Sequence, residues 1–213
     1  MKRPLHILLL ILMLTPFGAG AEFFCRKYNF APSESALENH ISNVQQDESG
    51  FMWFATWNGL VRFDGFNFHA FQPILSSDGT IFSNRIYNIR VASNGDIWCV
   101  SSDNLLFRFS RTDMRFHNLH TLIPDIAGKK VKVITPLRNG CTWITFRDNT
   151  AMRINDTVTV ADHIILTPDH ESLSGCRRIN GIVLTDTGEE WILTDTKATN
   201  LTRGYAVTGN YTT

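Results

Sequence analysis

The chain has 213 residues, 43% hydrophobic and 19% charged, which is enough apolar mass for a buried core and too much for a disordered segment. Lys+Arg and Asp+Glu number 20 each, so the formal net charge is zero, which argues against nucleic-acid or anionic-membrane binding as the main activity. Fifteen Phe and five Trp beside only seven Pro lean the composition toward sheet.

The first residues read as a secretory signal peptide. Lys2 and Arg3 form a positive region, Leu5 to Leu14 is apolar apart from His6, and Ala19-Gly20-Ala21 is a small-x-small cleavage site. The apolar run is shorter than the ~20 residues that span a bilayer. Cleavage after Ala21 leaves 18 basic and 20 acidic residues in an exported chain. Four cysteines remain there: Cys25, Cys99, Cys141 and Cys176. Their even number permits disulfides of any of three connectivities, but no CxxC pair points to a metal, and small buried thiols are the expectation. Phe23-Phe24 before Cys25 exclude a lipid-attachment site.

A repeat fills the rest. Trp53, Trp98, Trp143 and Trp191 stand 45, 45 and 48 residues apart, and each follows a glycine by three: Gly50, Gly95, Gly140 and Gly188. Nine residues before each glycine is Ile41, Ile86, Val131 or Ile179; six before it is Val44, Ile89, Ile134 or Ile182. A turn former precedes each glycine, which itself suits the positive φ of a hairpin. In the first copy, strands are expected at Ile41–Gln46, Phe51–Thr56, Leu60–Asp64 and Phe66–Phe71, and in the second at Ile86–Val91, Asp96–Ser101, Leu105–Phe109 and Met114–Leu119. The second strand is apolar on both faces, with Phe51, Trp53 and Ala55 on one and Met52 and Phe54 on the other. That pattern suits a sheet sandwiched between two others. Four antiparallel strands in about 45 residues is one β-propeller blade. The expected fold is therefore all-β, with a signal peptide at 1–21 and four four-stranded blades at about 38–78, 82–123, 128–172 and 176–213. Helix should be nearly absent beyond the leader and a turn near Ser35–Asn39. The tryptophan column is expected to pack between blades.

The segment from Ile41 to Gly65, ISNVQQDESGFMWFATWNGLVRFDG, resembles the two-component regulator propeller repeat. The likeness fades along the chain: the place of Asp47 is taken by Ala92, Leu137 and Thr185, and that of Gly59-Leu60 by Asn149-Thr150 and Lys197-Ala198. A sialidase Asp-box and a quinoprotein repeat place Gly and Trp in a different register, and a WD repeat carries Trp-Asp, whereas none of these four Trp is followed by Asp. A leader followed at once by this repeat is similar to the opening of a Bacteroides-type hybrid two-component sensor. The resemblance implies a periplasmic, ligand-sensing module of a histidine kinase anchored in the inner membrane. It also implies an oligosaccharide ligand, and as partners the remaining blades and kinase domains of a parent protein; a homodimer is a further expected partner. The chain then reads as a truncated, open part of a larger propeller, with Phe24–Phe30 a strand awaiting its blade.

No catalytic signature is present: the mature sequence has no G-x-S-x-G, HExxH, P-loop or G-x-G-x-x-G, and no cofactor is expected. His117 and His120 are expected on one strand with no carboxylate nearby, and so as surface histidines. His170-Glu171 is bracketed by Pro168 and Gly175 and reads as a loop, not a phosphoacceptor helix. Arg62, Arg108 and Arg153 recur nine or ten residues after Trp and are expected as solvated strand-three side chains or in inter-blade bonds, with contact of Arg62 and Asp64 to an anionic glycan as the alternative. Sequons at Asn155, Asn200 and Asn210 carry little meaning in a bacterial protein, the source that the resemblance implies. Ligand contacts are expected from the second turns of the first three blades: Trp57, Asn58, Asp103, Asn104, Asp148 and Asn149. The competing class is a secreted propeller enzyme acting on glycans, a lyase or sialidase, which would need clustered acids, a tyrosine nucleophile or an arginine triad.

Overall fold

The computed structural model describes residues 40–73, 83–156, 163–167 and 170–201. The leader, Cys25, Phe24–Phe30, Ser35–Asn39 and Asn210 lie outside them. Four antiparallel sheets follow one another in chain order. The first holds β1 (Ile41–Gln46), β2 (Met52–Thr56), β3 (Gly59–Phe63) and β4 (Phe68–Phe71). The second holds β5 (Ile86–Val91), β6 (Ile97–Ser101), β7 (Leu106–Ser110) and β8 (Arg115–Asn118). The third holds β9 (Val131–Pro136), β10 (Cys141–Phe146), β11 (Ala151–Asn155) and β12 (His163–Leu166). The fourth shows β13 (Ile179–Leu184), β14 (Glu190–Thr194) and β15 (Ala198–Asn200); its expected outer strand falls outside the described residues. Strands within each sheet pair in sequence order, the meander of a propeller blade.

Each blade starts alike because its first turn is chemically alike. Gly50, Gly95, Gly140 and Gly188 all have φ between 80° and 86°, a left-handed backbone that other residues rarely adopt. This turn sets the register of strands one and two, pairing Gln46 with Met52, Val91 with Ile97 and Leu184 with Glu190. The tryptophan is carried in from that end of the sheet in every copy.

The blades stack face to face. The face of Trp53, Ala55 and Leu60 packs on Ile89, Cys99 and Phe107 of the second blade. Trp98, Val100 and Leu106 pack on Ile134, Ile144 and Met152 of the third. Trp143 and Ala151 pack on Ile179, Ile182 and Ile192 of the fourth. Thus the Trp face of one blade meets the opposite face of the next. The two inner second strands, β6 and β10, are buried along their whole length, whereas β2 and β14 alternate between buried and half-buried. Burial on both faces is what a sandwiched sheet requires. At the two ends, the face of Met52 and Phe54 and the face of Trp191 and Leu193 lack a covering blade among the described residues. Among the described residues the stack is an open propeller.

Buried carboxylates at the first-turn end lock neighbouring blades. Asp47 accepts from Trp53 Nε1 at 2.9 Å and from Arg111 of the second blade at 3.2 Å. Asp156 of the third blade accepts from Ser93 Oγ and from Thr142, each at 2.7 Å, and its carbonyl takes Arg108 at 2.8 Å. Glu190 of the fourth blade accepts from Asn139 and Trp143 at 2.7 Å and from Arg153 at 2.9 to 3.2 Å. Arg108 and Arg153 are therefore inter-blade residues, while Arg62 lies over the Phe51 ring at 4.8 Å.

Trp98 is the exception in its column: its Nε1 is buried without an acceptor, because Ala92 stands where the first blade has Asp47 and Thr142 of the third blade stands where the fourth has Glu190. Trp→Phe at all three buried positions removes the N–H and similar apolar area. Hydrogen bonds to a charged acceptor are worth about 1.5–3 kcal/mol. Trp53→Phe and Trp143→Phe are therefore expected to destabilise by roughly that much more than Trp98→Phe. Urea denaturation of the three variants measures the difference, and equal losses would show that the indole N–H groups contribute nothing.

Two local expectations are corrected. The second blade's outer strand stops at Asn118, and a short helix α1 (Leu119–Leu122) and a 3₁₀ turn (Pro124–Ile126) follow. Asn118 Oδ1 accepts from the His120 N–H at 3.0 Å, capping the helix, while Leu119, Ile123 and Ile126 fill the core between the second and third blades. His120 is thus helical rather than extended. His117 does have a carboxylate beside it, since its Nε2 lies 2.8 Å from Asp113. Among the described residues no helix is long and apolar enough to cross a membrane.

Candidate functional site

The second turns gather at the end of the blades opposite the first turns. In each blade the N–H of the residue after strand two donates to the carbonyl just before strand one: Trp57 to His40, Ser102 to Arg85, Arg147 to Lys130 and Asp195 to Arg178, at 2.8 to 3.3 Å. The same end carries a repeated β-bulge in strand one, at Ile41/Asn43, Ile86/Asn88 and Ile179/Gly181, and opposite Thr145/Phe146 in the third blade. A bulge re-aims side chains. The residues it displaces are Ser42, Tyr87, Lys132 and Asn180. Ser42 Oγ donates to the Ile86 carbonyl and Lys132 Nζ to the Ile179 carbonyl, each at 2.7 Å and each across to the next blade.

The six residues expected to contact a ligand all lie at this end, in two roles. Asn104 and Asn149 adopt φ of 62° and 63°, the position that Gly59 holds in the first blade at 111°. Asparagine tolerates this conformation better than other non-glycine residues, so both have a backbone reason to be where they are. Asn149 also donates to the Arg177 carbonyl at 2.6 Å. Gly59 has a second constraint, because a Cβ there would meet the Phe71 carbonyl at 2.4 Å. Trp57, Asn58, Asp103 and Asp148 present side chains. Trp57 is 48% exposed; its ring lies 4.9 Å from that of His40 and 5.1 Å from the Arg85 guanidinium. Asn58 Oδ1 accepts from Gln72 at 2.9 Å. Asp148 pairs with Lys129. Burial works to raise the Asp148 pKa, but hydrogen bonds from Lys129 and Thr150 and the lysine charge outweigh it and hold the carboxyl below the usual range. Asp195 is likewise held down: the N–H groups of Arg177 and Arg178 and the Arg178 charge outweigh its desolvation.

A column at this end escaped the sequence reading. His40, Arg85, Lys130 and Arg178 each immediately precede the first apolar residue of their repeat. The signal was present, one position outside the columns of apolar residues, Gly and Trp. Elsewhere, Cys99, Cys141 and Cys176 are free thiols. Cys99 is wholly buried, and burial pushes its pKa far up. His170 heads a turn, its Nδ1 accepting from the Ser172 N–H at 3.1 Å. Among the described residues no group of three His, Cys, Asp or Glu could hold a metal ion.

Solved structures share this architecture. The chain is similar to the extracellular domain of a protein described as the hybrid two component system BT3049 from B. thetaiotaomicron, at 15% identity and a TM-score of 0.56, over 81% of this chain and 24% of that one. It is similar to the extracellular domain of BT4673, also described as a hybrid two component system of B. thetaiotaomicron, at 14% identity and a TM-score of 0.51, over 74% and 23%. PorZ of Porphyromonas gingivalis, a bacterial surface component of the type-IX secretion system, matches at 17% identity and a TM-score of 0.55, over 80% and 26%. The chain spans about a quarter of the length of these structures. At such identities the likeness establishes the fold. No protein-family model and no curated protein matches the sequence.

Proposed function

We propose that the chain is an extracytoplasmic ligand-sensing module of a two-component signal transduction sensor, exported by its leader to the periplasm and joined in a parent protein to further blades and kinase domains. The observation that carries this reading is the fold shared, over four fifths of the chain, with an extracellular domain described as part of a hybrid two component system. The dense repeat from Ile41 to Gly65 and the leader pattern support it. An oligosaccharide suits the second-turn end, where a half-exposed indole stands among polar side chains. A sugar ring stacks on such a face and bonds through its hydroxyls to residues such as Asn58, Asp103 and Asp148.

A glycan array probed with the secreted chain tests this reading. Trp57, Asn58, Asp103 and Asp148 are changed to Ala, and Asn104 and Asn149 to Gly so that the left-handed turns survive. Binding that falls by about tenfold, some 1.4 kcal/mol, supports the site. Binding unchanged in the six-fold variant removes the site. Release of shortened or unsaturated sugars from a bound glycan would instead show an enzyme acting on glycans.

A further inference from the structure

Trp98 and Arg108 face each other across strands two and three of the second blade, as Trp143 and Arg153 do in the third. In the third blade both point at one atom. Glu190 Oε2 of the fourth blade accepts from the Trp143 indole at 2.7 Å and from Arg153 Nε at 3.0 Å. The second blade presents the same two donors to the third, and there neither Trp98 Nε1 nor Arg108 Nε, both buried, has a protein acceptor. Trp98 is wholly buried and the Arg108 side chain is 12% exposed, so bulk solvent does not serve them. Native interiors leave few such groups unmet, because each one costs about 1–3 kcal/mol. The difference between the junctions lies in one position. Thr142 stands where the fourth blade has Glu190, and its shorter side chain turns to Asp156 Oδ1 at 2.7 Å. In the first blade the indole is met within the blade, since Asp47 takes Trp53 Nε1.

The charges at the junction decide what kind of acceptor fits. Asp96 and Asp156 are both buried there. Asp96 Oδ2 lies 3.4 Å from Arg108 Nη1, and the Asp156 main-chain carbonyl accepts from the same nitrogen at 2.8 Å. Arg111 turns its guanidinium to Asp47 at the neighbouring junction. Two carboxylates against one guanidinium repel a halide or any other small anion. A cation has no lone pair to offer two N–H donors. A water molecule accepts two hydrogen bonds and returns its own protons to the carboxylates, within the two to four polar partners that a buried water needs.

We propose that a buried water molecule sits between the second and third blades, in the place that Glu190 Oε2 holds one junction further on. It accepts from Trp98 Nε1 and Arg108 Nε and donates toward the carboxylates of Asp96 and Asp156. The indole N–H meets water in the unfolded chain as well, so this bridge lacks the extra strength of a charged acceptor, and the order expected among the Trp→Phe variants is unchanged. A high-resolution crystal structure of the secreted chain grown in bromide, with NMR on the same chain in solution, tests the site. The expected density lies about 2.7–3.2 Å from both nitrogens and carries no bromine anomalous signal. The Trp98 indole proton, assigned by its loss in Trp98→Phe, should show a nuclear Overhauser effect to water, and the Trp143 indole proton, held by a carboxylate, should show none. Thr142→Gln brings an amide oxygen to the same place and should remove both the density and the water contact while melting as cooperatively as the parent. Bromide at the site, no density there, or an indole turned to donate directly to Asp96 or Asp156 overturns the proposal. So does a water that persists beside Trp98 in folded Thr142→Gln. If that variant does not fold, the parent decides: a Trp98 contact to water no stronger than that of Trp143 overturns the site, and a clear contact at Trp98 alone supports it.

Discussion

Glu190→Ala is expected to destabilise the chain by about 3 kcal/mol, a large share of the roughly 5–15 kcal/mol that holds a domain folded. The Glu190 side chain is 4% exposed and serves three donors on the preceding blade, the guanidinium of Arg153, the indole of Trp143 and the amide of Asn139. Removing it strands a cation and two neutral donors between the third and fourth blades. Loss of one partner of a buried pair costs about 3–5 kcal/mol, and Arg153, which is 22% exposed, can recover part of its hydration, which places the expected value at the lower end. Glu190→Gln keeps an acceptor for the indole and should lose less. Urea denaturation reads both, and a loss no greater than that of the exposed Glu48→Ala would show that the junction owes nothing to this carboxylate.

The same residue links stability to pH. Burial works to raise the Glu190 pKa, but hydrogen bonds from Arg153 and Trp143, the arginine charge and the Asn139 amide outweigh it and leave it lowered. A carboxyl whose folded pKa lies below its unfolded one, near 4.3 for glutamate, stabilises the fold fully above the unfolded value. That contribution is lost as the pH falls through the folded pKa. The parent chain should therefore lose more stability than Glu190→Gln on acidification from about pH 6 to pH 3, and parallel profiles would contradict the linkage.

Much of the architecture was legible because the blade imposes a period on residues that cannot vary freely. The turn needs a left-handed residue, and the sandwiched strand needs apolar side chains on both faces. Gly50 with Trp53, and their three counterparts, announce the repeat for those reasons. The inter-blade locks were not legible, because a junction needs a buried acceptor and not an acceptor at one position. Asp47 lies in a first turn, Asp156 after a third strand and Glu190 at the start of a second strand, so they form no column. The helix α1 is a single turn, too short to show a helical period, and is held by the Asn118 cap and the burial of Leu119. At the candidate site the reading gathered six residues that share one end of the blades, but it could not separate Asn104 and Asn149, which shape turns, from Trp57 and Asp103, which face outward. Nor did it find Arg85, Lys130 and Arg178, because a charge adjoining a strand carries no periodic apolar signal.

Trp143→Ala and Trp191→Ala should separate sharply, although the two residues occupy the same place in their repeats. Trp143 is fully buried against Ile179, Ile182 and Ile192 of the next blade and donates its N–H to Glu190. Its truncation is expected to cost about 3–5 kcal/mol, the range for a large aromatic removed from a core. Trp191 lies on the last blade's outer face, half-buried, and its N–H reaches Glu189 of its own strand's approach at 3.3 Å. Its truncation should cost under about 1.5 kcal/mol, since most of the area it would bury against a following blade stays in solvent. The contrast is a direct reading of whether the stack is open. If the face of Phe54 closed onto that of Trp191 in solution, or if a second copy docked there head to tail, both tryptophans would be core residues and the two losses would converge. Denaturation at several protein concentrations tells these apart: convergence at every concentration means a closed ring, convergence appearing only as concentration rises means association, and a persistent gap of about 2 kcal/mol or more means the open stack.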